Sequence, residues 1–168
     1  NRFIHLDFEH NLEDWRNWAI DNKIHPLVLG FLGTRGELLF KMSSSKRAFP
    51  TPRSWEIMSD QLHIFDNFNQ IEELMMGTIG EAATIEFMTY CKGSLSEKQI
   101  LKIIEDPDKA KLPEKLSDIY ALISYLISRN DDKGVIAAGA KLLNRLSPEM
   151  AVLLLRDFQR ANPKFAMD

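Results

Sequence analysis

Leu116, Ile119, Tyr120, Ile123, Leu126 and Ile127 recur at the i, i+3, i+4, i+7 interval that lines one face of an α-helix. A chain with that period cannot lie as a strand without scattering its apolar side chains over both faces. The period returns in Val135, Ile136, Leu142, Leu143 and Leu146, and again in Met150, Leu153, Leu154 and Phe158. Punctuation between the stretches is clean. Ser147–Pro148 is a cap followed by a first-turn proline. Ser96 with Gln99 is a capping-box pattern ahead of Ile100, Leu101 and Ile104, and Pro107 is a stop. From about residue 113 the chain therefore reads as consecutive helices joined by short turns. No fixed-period repeat is evident, which favours a small bundle over a helical-repeat array. The wide stripe of the 116–127 helix suits a central position. The last helix would then be outermost, with Arg156, Phe158 and Arg160 facing a protein partner. The alternative is that this region only props up the helices before it.

Upstream, helices are again expected almost everywhere. Asn11 caps a helix with Glu13 and Asp14 in its first turn, where acids suit the dipole, and Leu12, Trp15, Trp18 and Ala19 supply its buried face. A second helix starts near Pro26 and carries Leu27, Val28, Phe31 and Leu32, with Gly33 and Gly36 interrupting it. Ser43 to Pro50 is a polar, basic loop. Gly80 to Tyr90 is rich in small residues, with Ala82 and Ala83 permitting close packing. Residues 2 to 8 are the exception. Phe3, Ile4, Leu6 and Phe8 around His5 and Asp7 read as a short strand. One strand makes no sheet alone, so its partners are expected in another chain or in sequence not included here. The start at Asn1 rather than Met fits a fragment or a processed product.

Composition excludes several classes. The formal net charge of -3 argues against a dedicated nucleic-acid binder, which must neutralise phosphates. No apolar run approaches a membrane span, and the first residues do not look like a signal peptide. Cys91 is the one cysteine, so no internal disulfide forms, which fits a cytoplasmic protein. Without a nearby His or Cys partner it reads as a small buried apolar residue. His5, His10, His25 and His63 have no metal-ligand spacing. There is no phosphate-binding loop, no nucleophile elbow, no zinc-protease helix and no dinucleotide fingerprint. The pairs Glu72–Glu73 and Asp131–Asp132 read as solvated helix starts.

The segment Pro50–Thr51–Pro52–Arg53–Ser54–Trp55 carries the clearest local signal. Thr51 caps a helix and Pro52 occupies its first position, while Trp55, Met58, Leu62 and Phe65 follow at helical spacing. Arg53 then sits in the first turn, where a cation is disfavoured by about 0.3–1 kcal/mol. Beside helix N–H groups it would make an anion site, most naturally for a phosphate. The competing reading is an exposed arginine paired with Glu56, a weak surface contact.

These residues resemble a known family. Asn1–Arg2–Phe3 leading into a strand, a tryptophan-containing helix, and then Pro50 to Glu56 look like the C-terminal third of a MoxR-type AAA+ ATPase. The likeness covers roughly residues 1 to 65. The Gly77 to Ala83 stretch and the Ile104–Glu105–Asp106–Pro107 stop are similar, less specifically, to helical extensions in bacterial members. The resemblance implies an all-α chain: a helical lid-like bundle plus a C-terminal helical bundle, with one short N-terminal strand left over from an α/β ATPase core. It divides the chain at 1–8 (last core strand), 9–76 (lid) and 77–168 (helical extension). It implies that Arg53 is the sensor-2 arginine, contacting ATP together with Thr51, and that Arg2 is an arginine finger acting on a neighbouring subunit. ATP and Mg would bind the full-length protein and neither would bind this chain alone. The implied partners are its own ATPase core, further copies in a hexameric ring, and a von Willebrand factor A domain protein, with no membrane or nucleic acid. The function expected is thus the lid and C-terminal region of an ATP-driven remodelling ATPase. The alternative is a stand-alone helical interaction module without nucleotide chemistry.

Overall fold

The computed structural model describes Ile4, residues 11–65 and residues 68–162. Apart from Ile4, the expected N-terminal strand lies outside them. Among the described residues every regular element is helical. The order is α1 (Leu12–Asp21), α2 (Pro26–Thr34), a 3-10 turn (Gly36–Leu38), α3 (Pro52–Ile64), α4 (Phe68–Ile79) and α5 (Glu81–Gly93). Then come α6 (Glu97–Glu105), α7 (Leu116–Ser128), α8 (Lys133–Leu142) and α9 (Pro148–Ala161). No helix among these residues is long and apolar enough to cross a membrane.

The caps read from the sequence are in place. Asn11 Oδ1 accepts from the N–H groups of Glu13 and Asp14 at 2.8 and 3.2 Å. Ser96 and Gln99 form their capping box, and α6 ends at Glu105, two residues before Pro107. Asp132 caps α8. Glu72 and Glu73, by contrast, lie within α4 rather than at a helix start.

A single apolar core runs from Trp15 to Phe158. Its centre is aromatic. Phe31 of α2, Trp55 of α3 and Phe87 of α5 are at most 1% exposed, and their ring centroids lie 5.4 to 5.9 Å apart in tilted and edge-to-face contacts. Such pairs add about 0.5–1.5 kcal/mol each beyond the area they bury. Against α2 lies α7, the most extensive helix pairing in the fold. It buries Leu122, Ile123, Leu126 and Ile127, and it occupies the central place its wide stripe suggests. Residue 77 falls inside α4, and the core continues across it.

Two expectations are corrected by packing. Gly33 does not interrupt α2, which runs on to Thr34. A Cβ on Gly33 would overlap the ring of Tyr120, and one on Gly30 the hydroxyl of Tyr90, so both glycines serve the close approach of α5 and α7. Trp18 is 36% exposed instead of buried, and Arg16 joins Trp15, Ala19 and Ile20 on the buried face of α1.

The larger correction concerns α9. Phe158 is fully buried, seated where a Cβ on Gly139 would approach its ring to 2.5 Å. Arg156 Nη1 lies 2.5 Å from Glu13 Oε1, and Arg160 donates to Asp21 and to the Asn17 carbonyl. Phe158 is therefore taken into the core, and the partly exposed Arg156 and Arg160 are engaged by α1. The cause is burial: Leu154 and Phe158 fill the core under α9 and Asp157 meets the buried Arg16, while the partly exposed arginine pairs to α1 add little.

Candidate functional site

The start of α3 is built by reciprocal capping. Thr51 is extended, at φ -142 and ψ 160. Its Oγ1 accepts from the Ser54 N–H at 3.0 Å, and Ser54 Oγ accepts from the Thr51 N–H at 2.8 Å. Pro52 has no N–H to satisfy, and the Trp55 N–H reaches the Thr51 carbonyl at 3.0 Å. Trp55 anchors the turn from below. Its ring is fully buried and its Nε1 donates to the Leu38 carbonyl at 2.8 Å.

This arrangement fixes which way Arg53 points. Ser54 and Trp55 face inward, so Arg53 faces solvent, with its side chain 75% exposed. Its Nη1 lies 2.6 Å from Glu56 Oε2. The weak surface pair weighed from the sequence is present, and the guanidinium still keeps donors toward water. The first turn of α3 contains no acid. The capping box claims the Thr51 and Ser54 N–H groups, so anion-binding capacity rests on the Arg53 side chain more than on helix N–H groups. Thr51 lies beside Arg53, with its hydroxyl oxygen held by the cap. Arg2 lies outside the described residues.

Lys46 and Arg47 are exposed in the loop before α3. Lys41 and Lys46 border a cleft of about 320 Å³ beside Pro50, which Glu81 and Glu86 also line, Glu86 being paired with Arg35 at 2.6 Å. Among the described residues no cluster of His, Cys, Asp or Glu is arranged to hold a metal ion.

The structure also shows a polar feature that the sequence reading missed. Arg16 and Asp157 are 5% and 0% exposed and form an ion pair in the core. Arg16 Nε donates to Asp157 Oδ2 at 2.8 Å, Nη2 lies 2.7 Å from the same oxygen, and Nη1 donates to the Leu29 carbonyl at 3.2 Å. The guanidinium also lies 6.0 Å from the Tyr120 ring centroid. A signal was available. Arg16 stands four residues after Leu12 and three before Ala19, and Asp157 three after Leu154, so opposite charges occupy the apolar faces of two helices.

Several groups are held away from their ordinary ionisation. Burial, reinforced by His63, pushes the His25 pKa down to about 4. Burial pushes the Cys91 thiol up to about 12, which keeps it a protonated, unreactive packing residue. Burial also raises Tyr90, with the Cys91 and Asp118 charges adding to it.

No family model matches the chain, and neither a curated protein nor a solved structure matches it.

Proposed function

We propose that this chain is the lid and C-terminal region of an ATP-driven AAA+ remodelling ATPase of the MoxR type, with Arg53 as its sensor-2 arginine. The observation that carries the reading is the geometry of Arg53. A rigid, doubly capped helix start projects one guanidinium into solvent, restrained by a single surface carboxylate. In the reading, a γ-phosphate on the ATPase core replaces Glu56 as the partner of Arg53. The guanidinium then donates to phosphoryl oxygens whose negative charge must be stabilised during transfer. ATP supplies the transferable phosphoryl group and Mg offsets its charge. The core must hold both, because the sequence has no phosphate loop and the described residues offer no donor set for the metal. Arg2, at the end of the core, would act on the neighbouring subunit of a ring.

Arg53→Ala in the full-length protein tests the reading. Turnover is expected to fall about 10²-fold or more, while the melting temperature stays within a few degrees. A collapsed melting temperature with activity per folded molecule intact would make Arg53 structural. The stand-alone alternative draws support from the single core that closes α9 onto α1. A phosphate loop encoded upstream of Asn1 decides for the ATPase, and its absence for the module.

A further inference from the structure

A second cleft, of about 630 Å³, opens among α2, α3, α5, α6 and α7, away from Arg53. Its size is that of small-molecule sites. Leu27, Leu95, Ile100 and Ala121 give it apolar walls. His25 and His63 add a pair of rings whose centroids lie 5.0 Å apart, edge to face. Tyr125, which lines the same cleft, carries the Arg129 guanidinium 5.7 Å from its ring centroid.

The polar groups of the cleft are not equally available. Glu97 is already engaged, accepting from the Tyr125 hydroxyl at 2.9 Å and lying 3.8 Å from Arg129. His63 Nε2 is 3.2 Å from the Lys23 carbonyl. His25 Nδ1 accepts from the Leu27 N–H at 3.2 Å, which places the proton of the neutral ring on Nε2. That N–H has no partner among the described residues. Arg129, 55% exposed in its side chain, has more donors than its one distant contact with Glu97 uses. Glu97 uses Oε1 for both contacts and leaves Oε2 to water on a side chain 62% exposed, so the cleft's other strong polar groups still to be matched are donors, one neutral and one cationic. A complementary ligand brings acceptors and negative charge on a flat apolar body.

We propose that this cleft binds a small aromatic carboxylate, its ring against the histidine pair and the apolar wall, its carboxylate toward Arg129 and His25. Nothing in this proposal depends on the ATPase reading, because Arg53 does not line the cleft.

The test is a titration of the chain with 2-naphthoate, and separately with its neutral methyl ester, followed by amide and imidazole NMR shifts. Expected are shifts centred on His25, Leu27, Tyr125 and Arg129, with the carboxylate binding at least about fivefold tighter than the ester. Arg129→Gln, at an exposed position that leaves folding intact, should lose that preference. Leu27→Trp, which fills the cleft, should abolish binding of both probes. No shift at about 1 mM probe, shifts centred elsewhere, equal affinity for the ester, or a preference that survives in Arg129→Gln would each overturn the proposal.

Discussion

Arg16 and Asp157 show how sharply a single side chain can matter in this fold. Each is buried, and each is the other's main compensation. Removing one partner leaves an uncompensated charge in the core, which costs about 3–5 kcal/mol. Asp157→Asn or Arg16→Met alone should therefore lower the denaturant midpoint sharply. The double variant Arg16→Met with Asp157→Leu should recover most of that loss, since two apolar groups leave no charge behind. Denaturant midpoints for the two single variants and the double variant check this. His25 makes a pH-dependent contribution at the same scale. Its pKa falls from 6.5 to about 4 on folding, so between those values the unfolded chain binds the proton and the native state does not. Stability is then full above pH 6.5 and drains away as pH falls toward 4, by about 3 kcal/mol in total. His63 from α3, Cys91 from α5, Glu97 from α6, and Tyr125 and Arg129 from α7 line the same cleft. His25→Gln keeps a capping acceptor without the titration. Urea melts at pH 7 and pH 4.5 should show a smaller acid loss in that variant than in the parent chain.

At the scale of elements, the caps were the most legible part of the sequence because they are local. Thr51, Ser96 and Asn11 need only the next three residues to declare a helix start, and all three do so in the structure. Thr51→Ala should cost about 1 kcal/mol, the usual value of an N-cap, read as a shift in denaturant midpoint. If α3 also loses register, Arg53 moves with it, so this variant tests how rigidly the turn holds the proposed site. Glycines were harder to read. The sequence shows Gly33 as a break, whereas its role depends on the Tyr120 ring arriving from α7, far along the chain. Gly33→Ala should destabilise by about 1–3 kcal/mol through overpacking, although alanine is the better helix former. Periodicity also misjudged α1, where Trp18 is exposed and Arg16 is buried. A charge reads as solvated until its partner is known, and that partner is 141 residues away.

At the scale of the molecule, the all-helical class was legible, because repeated 3.6-residue periods leave little else to build. The pairing of α9 with α1 was not, because it rests on three charge contacts between the two ends of the described chain. Arg156 meets Glu13, Arg160 meets Asp21, and Asp157 meets Arg16 beneath them. The two outer pairs are partly exposed and contribute little each. The buried pair and the fully buried Leu154 and Phe158 make α9 part of the core rather than an appendage. This changes what removal of the last helix can reveal. Deleting residues 147 to 168 would open the core over α7 and α8 and leave Arg16 without its counter-ion. Losing Phe158 alone is comparable to a large-to-small core change of about 3–5 kcal/mol, against a total stability of about 5–15 kcal/mol for a domain. The truncated chain should therefore lose its cooperative thermal transition and its solubility, as read by circular dichroism and yield. Any docking role of α9 must instead be sought on the side that stays outward, where Val152 and Leu155 are 66% and 38% exposed. Val152→Glu with Leu155→Glu should leave the melting temperature nearly unchanged, because neither side chain is buried. If the ATPase reading is right and α9 docks a partner, that variant loses the co-purifying protein and keeps basal turnover. If turnover falls while the partner stays bound, α9 serves the lid alone.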